Sequence, residues 1–378
     1  MNKIIYPTDV IAFEQDYYNI IPKTDETFIN HILSKLPILF ERITFKDLLI
    51  SSFEKIIDYS GIIKNNILPI LSDSEKDLFL KKINYDDNQK NIASFFMKYS
   101  LEMDLKTCFY CNIEFINTFQ DLGEYHDILD FLHSGSEEEL IKYISKSKGK
   151  IIYDYLQNNT INSTSSLLSI DKIGQETINK INALDLNIAK QKSHFTLDHF
   201  IPKGEFSYFG LSLYNLVPSC YSCNSKFKKS KQYEIDDYLK FISPTSSHYS
   251  LLNNLEFKLY FNVSGVDLNE KINNVVDLND FIIKPEINSA IDGRSKKFLD
   301  IFKIRGRYRF HKYQSMKMVK NRQEYSDSSI DEFSRITGKS ITEIKKDIFG
   351  SIIYSNLESN EPLAKYKLDI AKQIGIFP

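Results

Sequence analysis

The chain has 378 residues, of which 42% are hydrophobic, and its formal net charge at pH 7 is −2. This length predicts two or three domains, and the near-zero charge excludes a surface built as a whole for a polyanion, so any nucleic-acid contact must be local. The sequence contains no signal-peptide pattern and no run approaching the roughly eighteen apolar residues of a membrane span, so we expect a cytoplasmic protein without membrane contact.

The N-terminal half divides into a helical region and a region with chemical motifs. Residues 1–100 predict helices, because apolar residues recur every three or four positions in segments such as DLFLKKI and ASFFMKYSLEM. Residues 101–232 hold the motifs, interrupted by an insertion at about 118–192. Ser136 and Glu139 in that insertion predict a capping box before the helix LIKYISK. The insertion is either a connector or a segment that grips a substrate or partner.

Residues 233–378 predict an α+β segment that becomes helical. Alternation in LEFKLYFNVSG predicts a strand, and VVDLNDFIIKP predicts a second strand that could pair with it. Helices are expected at about 285–325, 328–353 and 361–375, with a capping box at Ser340 and Glu343. The predicted fold class is mainly α with a small α+β core.

All four cysteines of the chain fall in two Cys-x-x-Cys pairs, Cys108/Cys111 and Cys220/Cys223. Thiols stay reduced inside cells, and two short-spaced pairs can supply the four thiolates of a tetrahedral Zn²⁺ site. The insertion must then loop out between two knuckles that meet in space. Two disulfides, or four buried thiols without a metal, are the alternative interpretations.

The stretch LDHFIPKGEFSYFGLSLYNLVPSCYSCNSKFK, residues 197–228, holds groups suited to phosphodiester hydrolysis. That reaction needs an activated water, a cation that offsets transition-state charge, and stabilisation of the leaving oxygen. Neutral His199 suits the role of general base near pH 7. Asp198, on the opposite side of a strand, and Asn224, at the start of the following helix, can offer oxygen ligands to Mg²⁺. Asn215 is expected in the loop between them, with a hydrogen bond to the His199 ring.

The order of these motifs resembles the HNH endonuclease family. Its ββα-metal motif has a strand ending in Asp-His, a second strand and a helix that carries the last metal ligand, and its zinc-containing subgroup adds two Cys-x-x-Cys knuckles. CFYC, LDHFIPK and LYNLVPSCYSCN match that layout in order. The resemblance implies a zinc-stapled ββα-metal motif embedded in helical segments. The structural Zn²⁺ would be held by Cys108, Cys111, Cys220 and Cys223.

The resemblance also implies a role for each polar residue of the stretch. His199 would be the general base, Asp198 and Asn224 would bind catalytic Mg²⁺ or Mn²⁺, and Asn215 would orient His199. The chain departs from the family pattern at Asn224, which stands in place of a final His, and in the long insertion after the first knuckle. Each residue has a structural alternative: His199 as a core histidine, Asn215 as a turn residue, and Asn224 as a helix N-cap.

Local positive charge marks two candidate nucleic-acid contacts, because binding a polyanion requires cations near its phosphates. Lys226, Lys228 and Lys229 follow the second cysteine pair. A longer run at 296–322 has ten Lys or Arg residues against one acid, with interleaved aromatic residues that could stack on bases. Within this run, the arginines expected to contact nucleic acid are Arg305, Arg307 and Arg309. A solvated helix face is the alternative interpretation of this run.

We therefore predict a metal-dependent endonuclease that cuts DNA in preference to RNA and leaves 5′-phosphate and 3′-hydroxyl ends. The closing segment EPLAKYKLDIAKQIG resembles the last helix of HNH proteins of anti-phage defence, including Septu-type and retron systems. That likeness implies an ATPase partner of the ABC or SMC-like type. The alternatives are a zinc module that binds nucleic acid without cutting it, and an interaction subunit that an ATPase controls.

Overall fold

The computed structural model describes residues 1–37, 40–121, 125–184, 190–229, 231, 233–287, 293–351 and 360–377. The chain divides into two compact units, one formed by Met1–Asn117 with His194–Pro378 and the other by Thr118–Ser193. The smaller unit corresponds to the insertion predicted at about 118–192. The regions predicted separately at 1–100 and 233–378 belong to the larger unit, together with the remainder of the motif region.

The described residues are mainly helical, as predicted, and the strands form small antiparallel pairs. Six α-helices of the described residues precede the first cysteine pair. Their bounds are Val10–Ile20 (α1), Glu26–Leu33 (α2), Phe45–Ile50 (α3), Phe53–Ile62 (α4), Asp73–Lys82 (α5) and Tyr85–Lys98 (α6). A capping box of Thr44 and Asp47 starts α3, and one of Ser72 and Glu75 starts α5. Within the described part of the chain, no helix is long and apolar enough to cross a membrane.

The smaller unit has a hydrophobic core of its own, which includes Phe131, Leu140 and Ile152. Its strands Thr118–Asp121 (β1) and Lys190–Ser193 (β2) pair antiparallel. Its helices are Ile128–Ser134 (α7), Glu137–Tyr143 (α8), Lys146–Leu156 (α9) and Gln175–Asn182 (α10). The capping box of Ser136 and Glu139 is confirmed, and it starts α8. The predicted helix LIKYISK is interrupted before Lys146, because Ser145 caps a new helix there.

Two further antiparallel pairs lie in the larger unit. Strands Thr196–His199 (β3) and Leu216–Ser219 (β4) pair with His199 opposite Leu216, and a short helical turn at Ser222–Lys228 follows them. Strands Leu255–Phe261 (β5) and Phe281–Ile287 (β6) form the pair predicted from alternation, with Leu255 opposite Ile287.

The C-terminal helices are shorter than predicted. The helices after β4 are Leu251–Asn254 (α11), Leu268–Asn273 (α12), Gly293–Ile301 (α13), Ile304–Phe310 (α14), Lys312–Glu324 (α15), Asp327–Thr337 (α16), Ile341–Phe349 (α17) and Ala364–Gln373 (α18). Left-handed Lys303 separates α13 from α14, and left-handed Gly338 ends α16 before the confirmed capping box of Ser340 and Glu343. Such single-residue breaks leave the apolar periodicity intact, so the periodicity could not locate them.

Candidate metal-dependent catalytic site

The two cysteine pairs meet in space. The sulfur atoms of Cys108, Cys111, Cys220 and Cys223 all lie within 4.8 Å of one another, and all four residues are buried. A tetrahedral site with Zn–S bonds of about 2.3 Å needs sulfur atoms about 3.8 Å apart, so the cluster can hold a metal ion such as Zn²⁺. The cysteines are free thiols, which disfavours the disulfide alternative.

Local backbone turns form the two knuckles. Directly after the first pair, the amide of Asn112 donates to the carbonyl of Cys108 (2.7 Å), and Asn112 has a positive φ of 53° that tightens the turn. The second pair follows β4 directly, where the amide of Cys223 donates to the sulfur of Cys220 (3.4 Å). Each turn therefore places its two sulfur atoms close to the two sulfur atoms of the other turn.

Arg307 belongs to this cluster, which corrects its predicted role in nucleic-acid binding. Its guanidinium donates to the sulfur atoms of Cys223 (3.1 Å) and Cys111 (3.3 Å) and pairs with Glu114 (2.6 Å). The side chain is only 15% exposed. A buried cation beside several thiolates offsets their charge, so Arg307 is placed to stabilise the cysteine site rather than to meet a phosphate.

His199 ends β3 with its ring fixed from one side. Ring atom Nε2 lies 2.8 Å from the carbonyl oxygen of Gly210, which can only accept, so Nε2 carries the proton. The Tyr85 ring packs nearly perpendicular to the imidazole, with ring centroids 4.5 Å apart. Burial lowers the pKa of His199 to about 4, although the Gly210 hydrogen bond and Asp198 act in the opposite direction. The imidazole is therefore neutral at pH 7, and its lone pair lies on Nδ1.

The hydrogen-bond partners of the Asn215 side chain differ from the one expected. The residue is fully buried, but within the described structure its side chain forms no hydrogen bond with the His199 ring. Its Oδ1 accepts from the amide of Ile201 (2.7 Å), and its Nδ2 donates to the carbonyls of Ile201 (3.0 Å) and Phe209 (3.1 Å). Because Phe209 adjoins Gly210, Asn215 fixes the loop whose carbonyl holds the ring, and it orients His199 indirectly.

Asp198 is buried beside His199 and is held through one of its oxygens. Tyr110, which lies between Cys108 and Cys111, donates its hydroxyl to Asp198 Oδ2, and the ammonium of Lys228 lies 2.7 Å from the same atom. Among the described residues, none donates a hydrogen bond to Oδ1. Lys228 is only 1% exposed, so the prediction that it contacts nucleic acid is corrected.

Asn224 lies inside the helical turn rather than at its start. Its Nδ2 donates to Thr196 Oγ1 (3.0 Å) and to the Leu197 carbonyl (3.4 Å), which ties the turn to β3. Its Oδ1 accepts no hydrogen bond from the described part of the chain. The N-cap interpretation does not fit this placement, because the side chain bonds to β3 and not to the first amides of the turn.

Asp198, His199 and Asn224 line one pocket of about 460 Å³, although the strand geometry had predicted Asp198 and His199 on opposite sides. β3 ends at His199, so strict alternation does not extend through it. Asp198 and Asn224 each keep one oxygen without a protein partner. Two hard oxygen donors at a pocket that admits water fit a hydrated Mg²⁺ or Mn²⁺ ion.

Several pocket residues were not identified from the sequence. Tyr85 and Gln89 come from α6, and Lys203, which pairs with Asp86 (2.6 Å), comes from the loop after β3. Residues of α6 carry no motif, so only the fold brings them to the pocket. Tyr110 does not line the pocket but bonds to Asp198, and it belongs to the motif CFYC, between Cys108 and Cys111.

The remaining predicted cations are exposed. Lys226 and Lys229 lie on or directly after the helical turn, and Lys229 lines the pocket. Arg305 and Arg309 are exposed on α14. These four side chains remain available to a polyanion.

No family model matches this sequence, and neither a curated protein nor a solved structure resembles it significantly.

Proposed function

We propose that this chain is a metal-dependent endonuclease that hydrolyses phosphodiester bonds of nucleic acids, in the manner of the HNH family that its motifs resemble. The supporting observation is the pocket itself. A neutral histidine with a proton-free Nδ1 lies beside the carboxylate of Asp198 and the amide of Asn224, each with one oxygen unused.

The chain's own groups suggest how the reaction proceeds. His199 Nδ1 takes a proton from water as the water attacks phosphorus, and the Gly210 carbonyl stabilises the resulting imidazolium through Nε2. Asp198 and Asn224 would hold Mg²⁺ or Mn²⁺, which would supply the positive charge that stabilises the leaving 3′ oxygen. The products therefore carry 5′-phosphate and 3′-hydroxyl ends.

A basic groove next to the pocket supports nucleic acid as the substrate. Lys231, Lys296, Lys297 and Lys303 line a cavity of about 390 Å³ with a single acid, Asp300. Lys231 is two residues from Lys229 of the catalytic pocket, which limits the separation of their α-carbons to about 7 Å. Within the described ranges, none of these four lysines forms an ion pair, so their charge is available for the backbone of the strand being cut.

The zinc cluster would have a structural role in this proposal. It joins the turn that carries Asn224, which lines the pocket, to the knuckle that carries Tyr110, which holds Asp198. The predicted role in anti-phage defence, with an ATPase partner, stays a prediction that rests on the sequence alone.

Cleavage assays with a matched histidine control test the proposal. Supercoiled plasmid, single-stranded DNA and RNA are incubated with the wild type, His199→Ala or His31→Ala, in Mg²⁺ or Mn²⁺. His31 is exposed on α2 and serves as the control. We expect the wild type and H31A to cut, with DNA preferred, and H199A to lose at least a hundredfold in rate.

The other outcomes identify the alternatives. Equal cutting by H199A and the wild type contradicts the catalytic role of His199. Binding of nucleic acid by both proteins without any cutting favours a zinc-dependent binding module. Cutting that begins only when an ATPase partner is added favours the controlled interaction subunit. Products with 3′-phosphate ends contradict the mechanism.

A further inference from the structure

Asp198 and Lys228 form a buried ion pair at the centre of the pocket, and no motif assigned a role to this pair. The lysine ammonium lies 2.7 Å from Asp198 Oδ2 and also donates to the carbonyl of His199. Tyr110 donates to the same carboxylate oxygen.

This arrangement fixes the direction of the carboxylate. Two donors on Oδ2 prevent rotation of the Asp198 side chain and leave Oδ1 as the oxygen available to a cation. Lys228 also holds the backbone of His199, so a single ammonium sets the positions of the carboxylate and the base. Lysine is almost never fully buried without a partner, which indicates that the pair is a built feature of the pocket.

The same arrangement removes negative charge from the candidate cation site. Lys228 offsets Asp198, Lys203 is paired with Asp86, and Asn224 and the neutral His199 ring contribute no charge. The number of charged ligands largely sets the affinity of a protein for a hard divalent cation. A phosphate of the substrate is therefore the group that can supply the missing negative charge.

We infer that Lys228 and Tyr110 are positioning residues that hold Asp198 by one oxygen, and that Lys228 keeps cation affinity low until a nucleic-acid phosphate enters the pocket. The inference rests on the proposed function and adds to it that the cation and the substrate bind cooperatively. Lys228 thus acts through Asp198 and does not touch the substrate.

Titration of the free protein with Mn²⁺, followed by electron paramagnetic resonance, measures cation binding without any reaction. Lys228→Met removes the charge and keeps much of the side-chain length. We expect this variant to bind Mn²⁺ at least about tenfold more tightly than the wild type, because a cation near the bound ion has been removed. We expect its kcat at saturating Mn²⁺ to fall, because Asp198 and His199 lose a shared anchor.

In this variant Mn²⁺ affinity rises while kcat falls. A merely structural role of Lys228 cannot produce this combination, because loss of structure weakens both Mn²⁺ binding and catalysis. Lys226→Met is the charge-matched control, as Lys226 is exposed on the same turn, and its Mn²⁺ affinity stays within about twofold of the wild type. Asp198→Asn loses both Mn²⁺ binding and cleavage.

Tyr110→Phe tests the second donor. This variant keeps every charge, so we expect free Mn²⁺ affinity to change less than about threefold while kcat falls about tenfold with little change in KM. Tyr208→Phe is the control, because the Tyr208 hydroxyl is buried without a hydrogen-bond partner in the described structure, and its removal leaves both values unchanged.

A measurement that needs no change at Lys228 keeps the inference testable if K228M does not fold. Uncut DNA added to His199→Ala raises Mn²⁺ affinity at least about tenfold, and Mn²⁺ raises DNA affinity by the same factor. Equal Mn²⁺ affinity with and without DNA overturns the inference, as does weaker Mn²⁺ binding by a folded K228M. If the inference fails in this way but the wild type cuts and D198N does not, the endonuclease proposal still stands. If the wild type never cuts, the endonuclease proposal itself is rejected.

Discussion

Asn215→Ala is the most informative single change to the catalytic loop. The substitution removes three buried hydrogen bonds of 2.7, 3.0 and 3.1 Å, and it leaves the amide and the carbonyl of Ile201 without partners, whereas the Phe209 carbonyl keeps the Ser212 amide (3.2 Å). At about 1 kcal/mol for each bond, we expect the free energy of unfolding to fall by about 3 kcal/mol. The loop that presents the Gly210 carbonyl to His199 then loses its internal hydrogen bonds to Asn215, and we expect kcat to fall at least about tenfold.

The chain contains no tryptophan, so urea unfolding is best followed by circular dichroism at 222 nm. A loss of about 3 kcal/mol moves the urea midpoint by roughly 1 M. Asn253→Ala serves as the control, because Asn253 is exposed and should cost less than about 0.5 kcal/mol. If N215A unfolds within about 0.5 kcal/mol of the wild type, or keeps its full kcat, the reasoning about this loop is refuted.

Four further predictions follow from the same geometry. The purified chain binds about one Zn²⁺ by elemental analysis, and Cys220→Ser loses this metal together with helical circular dichroism at physiological temperature. Arg307→Met lowers zinc affinity at least about tenfold in chelator competition, whereas Arg305→Met leaves it unchanged. Lys297→Ala weakens nucleic-acid binding and reduces the slope of log affinity against log salt by about 1, without changing zinc content. Because the pKa of His199 is about 4 and the neutral form is the base, we expect the cleavage rate to stay constant from pH 8 to about 6 and to decline only as the pH falls towards 4. A cleavage rate that falls to half its maximum near pH 6.5 contradicts this expectation.

The sequence was most informative where chemistry and spacing coincide. Two Cys-x-x-Cys pairs predicted one cluster, and the four sulfur atoms do meet despite the insertion between them. Alternation predicted β5 and β6 and their pairing, because one face of each strand is more buried than the other. Capping boxes located the starts of α8 and α17, since Ser and Glu three residues apart satisfy the first amides of a helix.

The sequence was less informative about which polar groups bind one another. Lys228 and Arg307 lie in basic stretches that suggested phosphate contacts, yet both are turned inward to buried anions. Composition describes charge along the chain but not the direction of each side chain. The partner of the His199 ring is a backbone carbonyl, and a carbonyl has no residue-specific signal, so Asn215 was assigned a bond that Gly210 makes.

The N-terminal helices, which carry no recognisable motif, have a physical role at the site. A hairpin of two four-residue strands is marginal in water and cannot fix catalytic groups by itself. The loop that joins the strands is anchored by α1, where Tyr17 donates to the Leu211 carbonyl (2.7 Å) and Glu14 accepts from Tyr214 (2.6 Å).

Two other helices complete this support. Ser212 donates to the Leu48 carbonyl of α3, and the ring of Tyr85 of α6 packs nearly perpendicular to that of His199. Zinc can fix only the ends of the hairpin next to the cysteines, whereas these helices hold the opposite end, where the Gly210 carbonyl meets the imidazole. The helical region therefore supports the part of the proposed catalytic site that the cysteine cluster does not reach, and we expect substitutions in α1 or α6 to affect His199 without changing zinc content.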